Sequence, residues 1–315
     1  MFETAKDYHS KSFLMKALAI CFSFCLVFNA HASGPQKIAF QHGDNIWITN
    51  IDGTAAKKIV VGSGPYISSA GTQVAFATAT LSDYRSQPRG AQNDPTSRIA
   101  IADVASGKIT TLKNIPSDRC SNPVWSPDGQ WIIFSSQREF FYDLNAIKKD
   151  DTNFRVIVKG TEVGHPTYYS PCWAPDGRSI LCHNTKSICR LGLDGAVLAQ
   201  WDIHKFAPDG LTGSIGVSPD GNRLLVSQEY RKNSEAPPPS LWLFDLVSQQ
   251  SMRLVTPKEL SVSAGCWLDK DHILFQGGSA DESDGPTPAI YRMSLDGKNL
   301  KRLIKNGLNP TVSAP

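Results

Sequence analysis

The sequence predicts an all-β fold, a six-bladed β-propeller of four-stranded antiparallel blades closed by the C-terminal strand completing blade one. Three observations carry this. A strand–turn–strand element repeats, as Ser126-Pro127-Asp128-Gly129, Ala174-Pro175-Asp176-Gly177 and Ser218-Pro219-Asp220-Gly221. A second hairpin recurs downstream in each unit, ending in Asp52-Gly53, Asp194-Gly195 and Asp296-Gly297. The tail Leu308-Asn309-Pro310-Thr311-Val312-Ser313 repeats Ser121-Asn122-Pro123-Val124-Trp125-Ser126 and then stops.

Each Pro-Asp-Gly element follows Trp125, Trp173 or Val217 and precedes an apolar run: Trp131–Phe134, Ser179–Cys182 or Arg223–Val226. Proline presets φ at the second turn position, and glycine accepts the positive φ that the turn requires. These are tight connections between a strand A and a strand B. Worn copies stand at Ser68–Gly71 and at Trp267–Lys270, the second one residue shorter. The Asp-Gly hairpins join strands C and D, and Ser106-Gly107 and Ser248-Gln249 fill the same slot. Anchors near residues 68, 126, 174, 218 and 267 are spaced like propeller blades.

The ends decide the blade count. Lys37-Ile38-Ala39-Phe40 aligns with a B strand, so the first unit has no A strand of its own and the tail must supply it. Closure removes the free sheet edges and the unpaired interface that an open ring would leave between first and last blades.

Ahead of the repeats, Lys16 is followed by an apolar run from Ala17 to Phe28 and then by Ala30-His31-Ala32. This is the charged, apolar and small-residue order of a secretory signal peptide, with cleavage between Ala32 and Ser33. Residues 1–14 are polar, and Met15-Lys16 would make a more usual start. The expected organisation is therefore a signal peptide over 1–32 and a propeller over 33–315, periplasmic or secreted, with no stable membrane span after cleavage. Residues 33–315 keep 29 basic and 27 acidic side chains once Lys6, Lys11, Lys16, Glu3 and Asp7 are removed. That near-neutral balance, without a Lys/Arg run, excludes nucleic acid as a partner class.

Five cysteines remain after residue 32, an odd number for an exported chain. Cys182 and Cys189 are the disulfide candidate, because they flank His183-Asn184-Thr185-Lys186 in a hairpin where facing positions approach closely. The alternative reading makes all five small buried hydrophobes.

The search for catalysis finds no Gly-x-Ser-x-Gly elbow, His-Glu-x-x-His or phosphate-binding loop. Asp128, Asp176 and Asp220 repeat by blade, as turn-forming carboxylates do and a unique acid/base pair does not. Trp125, Trp173 and Trp267 likewise recur at one blade position and read as packing between sheets rather than a sugar-stacking set. Histidines 42, 165, 183 and 204 fall on B–C or D–A connections, on one face, while His272 follows an A–B turn. Scattered in this way they define no metal site. No catalytic residue, cofactor or metal ligand is assigned. The long B–C segments Thr80–Ser97, Glu229–Pro239 and Gly277–Pro288 share that face, as either tolerated insertions or a partner-binding rim.

The Trp-Ser-Pro-Asp-Gly and Leu-Asp-Gly signatures resemble those of TolB-like propellers, periplasmic components of the Tol system, over about residues 36–315. The resemblance implies a non-catalytic protein-binding scaffold of the cell envelope, with a Pal-like lipoprotein as partner. Related blades in polysaccharide lyases imply the alternative, a glycan-binding or metal-dependent lyase-like propeller. TolB-like proteins carry an α/β domain before the propeller, whereas only Ser33–Gln36 lie between the expected cleavage point and the first strand. The functions of that domain, including contact with TolA, do not carry over.

Overall fold

The computed structural model describes residues 34–314, except 89–92, 140, 161–166, 185, 204–210, 230–239, 255, 258–259 and 280–287. The chain divides into two units, Met1–Ala32 and Ser33–Pro315. The leader, His165, His204 and most of the two long loops after Glu229 and Ser279 lie outside the described residues.

The second unit is a ring of six four-stranded antiparallel sheets. Blade one contains β1 (Lys37–His42), β2 (Asn45–Asn50) and β3 (Lys57–Val61). Blade two is β4 (Ser63–Ile67), β5 (Gln73–Ala77), β6 (Ile99–Asp103) and β7 (Ile109–Thr111), with a short helix, α1 (Leu81–Ser86), between β5 and β6. Blade three is β8 (Cys120–Trp125), β9 (Trp131–Arg138), β10 (Phe141–Lys148) and β11 (Arg155–Val158). Blade four is β12 (Tyr169–Trp173), β13 (Ser179–His183), β14 (Ser187–Gly192) and β15 (Val197–Asp202). Blade five is β16 (Leu211–Val217), β17 (Arg223–Glu229), β18 (Ser240–Asp245) and β19 (Ser251–Arg253). Blade six is β20 (Leu260–Trp267), β21 (His272–Ser279), β22 (Ala289–Ser294) and β23 (Lys301–Lys305), and β24 (Leu308–Val312) returns to pair with β1.

The repeated sequence produces repeated hydrogen bonds. Ser126 N–H donates to Trp131 O at 2.8 Å and Gly129 N–H to Ser126 O at 2.9 Å. The same pair of bonds forms at Ser68/Gln73 and Gly71, at Ala174/Ser179 and Gly177, and at Ser218/Arg223 and Gly221. The turn carboxylates are spent on this geometry: Asp128 accepts from Ser126 Oγ and Gln130 N, and Asp220 from Ser218 Oγ and Asn222 N. A carboxylate consumed by its own turn is a structural group, as the blade-wise repetition predicts.

At the ring closure the same turn is rebuilt from two chain ends. Ser313 N–H donates to Lys37 O at 3.0 Å, and Lys37 N–H to Ser313 Oγ at 2.9 Å. Ser313 thus takes the place of Ser126, whose Oγ accepts from Trp131 N. The register pairs Ile38 with Val312 and Ala39 with Thr311.

The core is divided into wedges, because each sheet must cover both faces with neighbouring sheets. Blades two and three enclose Ile99, Leu112, Ile132, Phe134 and Ile147, while blades six and one enclose Ile38, Phe40, Leu274 and Ile290. Four comparable clusters fill the other junctions. The tryptophans belong to these junctions. Trp173 Nε1 donates to Val124 O at 3.2 Å and Trp267 Nε1 to Gly216 O at 3.0 Å, each reaching the preceding blade's A strand. Trp125, Trp173 and Trp267 are all buried and pack within these clusters.

Candidate functional site

The A strands β24, β4, β8, β12, β16 and β20 are the inner edges of their sheets and line a central cavity of about 600 Å³. Every one of them breaks register with its B strand. The break coincides with residues of positive φ: Gly64, Asn122, Ser170, Ala264 and Asn309 in five of the strands. At four of those positions proline follows, as Pro65, Pro123, Pro171 and Pro310, and cannot donate to the ladder. The Asn-Pro similarity between Asn122 and Asn309 was visible in the sequence; its meaning as a bulge at the channel was not.

Above this ring, on the face of the B–C and D–A connections, a second cavity of about 430 Å³ opens. Tyr84, Tyr142, Tyr168 and Tyr169 line it together with Asp94, Asn122 and Ser170. These residues come from blades two, three and four; Asn122 and Ser170 sit at the repeated bulge, but the four tyrosines and Asp94 follow no repeat, so pattern reading passed over them. Three of the phenols are held neutral. Burial pushes Tyr84 and Tyr168 up to about 12, and it raises Tyr142 further, with the Asp94 charge adding to the effect.

The described part of the Thr80–Ser97 segment is a strap that spans three blades. Thr80 caps α1, its Oγ1 accepting from Asp83 N at 3.1 Å while Asp83 Oδ2 accepts from Thr80 N at 2.7 Å. This local capping explains a helix where composition suggested only loop. Ser82 then donates from N and Oγ to Asp44 of blade one, at 2.8 and 2.6 Å. On the other side Ser97 N–H donates to Asp118 O at 2.6 Å and Cys120 N–H to Ser97 O at 3.0 Å, both joining blade three. Asp94 is fixed between them: its N–H donates to Gln137 Oε1, its carbonyl accepts from Arg119 Nε at 3.2 Å, and its Oδ2 accepts from Tyr142 Oη at 3.0 Å.

The described histidines, His42, His183 and His272, do not converge. His42 packs against Trp47 with ring centroids 6.1 Å apart, and His272 Nδ1 bonds Asp269 at 2.9 Å. His183 is buried with Nε2 3.0 Å from Gly213 O, and burial lowers its pKa. Among the described residues no group of three His, Cys, Asp or Glu side chains is placed to hold a metal ion. Cys182 and Cys189 do face each other in register, both buried in the junction of blades three and four. Both are free thiols in this structure, with Cys182 Sγ 3.8 Å from Cys189 O.

No family model matches this sequence, and no curated protein does. Among solved structures the chain is similar to TolB from Acinetobacter baumannii, with TM-score 0.62 at 14% identity, covering 90% of this chain and 68% of that one. It is equally similar to the putative TolB from Agrobacterium tumefaciens, with TM-score 0.62 at 15% identity, covering 87% and 91%. The fold is that of a TolB-like propeller. An oligogalacturonate lyase from Vibrio parahaemolyticus shares the ring as well, with TM-score 0.54 at 16% identity over 79% of this chain and 71% of that one. Differently named proteins, a lyase among them, therefore share one architecture, and the site has to be read from its own residues. Among the described residues of this TolB-like ring, no helix is long and apolar enough to cross a membrane.

Proposed function

We propose that the protein is an exported, non-catalytic propeller that holds a protein partner on its B–C and D–A face, with a Pal-like envelope lipoprotein as that partner. The observation that carries this reading is the tyrosine-lined cavity, set on the face where the strap ties blades one, two and three together. Tyrosine supplies large contact area and a hydrogen-bonding tip at small entropic cost, which is why it concentrates at protein interfaces. The strap's bonds to blades on both sides hold that surface in place before binding, which lowers the cost of association. The similarity to TolB structures supports the envelope setting.

The test is a titration of the soluble domain of a Pal-like lipoprotein from the same cell against residues 33–315. Tyr142→Ala with Tyr169→Ala is expected to weaken binding by at least about tenfold, the scale of one interface anchor. Unchanged affinity in the double variant, or no binding by the parent, removes the proposal.

Export also makes the Cys182–Cys189 bond part of this reading, since an oxidising compartment forms disulfides between facing cysteines. Protein recovered from that compartment without reductant is expected to weigh two hydrogens less than the all-thiol chain, with the loss in the peptide spanning residues 179–190. A full thiol mass rejects the bond.

A further inference from the structure

The tyrosine cavity has a single charged side chain among its described lining residues, Asp94, and it carries no lysine or arginine. Among the described residues, no cation pairs with the Asp94 carboxylate. The Arg119 guanidinium is engaged with the main-chain carbonyl of Asp94 and with Asp118 at 3.5 Å. Both main-chain polar groups of Asp94 are held by blade three, and Tyr142 Oη donates to one carboxylate oxygen at 3.0 Å. That arrangement aims the carboxylate and leaves Oδ1 without a hydrogen bond among the described residues. Tyr84, Tyr142, Tyr168 and Tyr169 line the same cavity.

A fixed carboxylate beside neutral aromatic rings is the chemistry that selects an organic cation: the carboxylate neutralises the charge, and ring faces attract it after water is shed. We propose that this cavity is a recognition pocket for a guanidinium or alkylammonium head, bound by Asp94 and enclosed by the tyrosines. Among the described lining residues an anion would meet a carboxylate and no lysine or arginine, which disfavours it. The proposal deepens the loop-face reading by naming what enters the cavity, and it rests on that reading only for the ligand's being part of a larger partner.

The experiment is calorimetric titration of residues 33–315 with n-butylguanidinium, with its uncharged isostere n-butylurea, and with a capped Gly-Arg-Gly peptide. Butylguanidinium or the peptide is expected to bind, and butylurea is not. Asp94→Asn keeps an acceptor for Tyr142 and removes the charge, so it is expected to weaken cation binding at least about tenfold while leaving the thermal midpoint in place. Tyr169→Ala, at an exposed position, is expected to weaken it by a smaller factor without loss of fold. Tighter binding of the peptide assigns the head to a polypeptide side chain, and tighter binding of butylguanidinium to a free cation; either supports the pocket. Equal binding of the urea isostere, unchanged affinity in Asp94→Asn, or no binding of both cations overturns it. Because these probes are small, the pocket can stand when the lipoprotein fails to bind, and it can fall when the lipoprotein binds.

Discussion

Removing residues 308–315 is expected to cost the protein its stable native state. The deletion takes away β24, the A strand of blade one, and exposes the whole hydrogen-bonding edge of β1. It also unpicks bonds to three blades. Within blade one, Ser313 pairs with Lys37 and accepts from Gln36 Nε2 at 3.0 Å. Toward blade two, Thr311 Oγ1 accepts from Ile67 N at 3.2 Å and Ala314 N–H donates to Ser69 O at 2.9 Å. Toward blade six, Asn309 N–H donates to Gln276 Oε1 at 3.1 Å. Pro310 and Ser313 are buried, so the cavity left behind adds to the lost bonds. The sum exceeds the few kcal/mol that separate a typical folded chain from its unfolded ensemble, about 5–15 kcal/mol. The expected readout is an aggregating or non-cooperative chain in urea denaturation, while Ser313→Ala alone loses about 1 kcal/mol for its missing acceptor. A truncated protein that unfolds cooperatively at the parent's midpoint contradicts the closure.

Gly195→Ala is expected to be the most damaging of the turn substitutions, and Gly129→Ala one of the mildest. Both glycines have positive φ, at 83° and 64°, so both alanines meet the left-handed penalty of about 1 kcal/mol. Their surroundings differ. A Cβ on Gly129 would have nothing within 4 Å, whereas a Cβ on Gly195 would lie 2.3 Å from the Ile157 carbonyl oxygen of β11. Backbone cannot step aside as a flexible side chain can, so the turn of blade four must lift from blade three. The expected loss is about 3 kcal/mol or more at Gly195, against about 1 kcal/mol at Gly129. At about 2–4 °C per kcal/mol the two thermal midpoints separate clearly. Equal shifts would show that the turn conformation alone sets the cost.

This contrast shows how far local reading extends. Asp194-Gly195 and Asp128-Gly129 are both recognisable as turns from residue type, because aspartate bonds the local backbone and glycine accepts positive φ. That one turn presses on the neighbouring blade and the other faces open space depends on where the blades meet. The short helix at Leu81–Ser86 follows the same division. Its capping residues Thr80 and Asp83 were present in the sequence, but a segment of six residues has too little periodicity to announce a helix. Its anchorage on Asp44 is a contact between residues 38 apart.

What the sequence determined by itself was everything that repeats: the strand order within a blade, both turn types, the six-fold count and the return of the tail to the head. Repetition makes such features legible because one local rule, tested several times, leaves little room for coincidence. What the tertiary structure alone decided was the departure from repetition. Tyr84, Asp94, Tyr142 and Tyr169 share no blade position, and they line one cavity because the segment after β5 is anchored on blade one through Ser82 and on blade three through Asp94. A binding pocket breaks the ring's pseudo-symmetry, and the distances that assemble it exist only after the wedges between blades have packed.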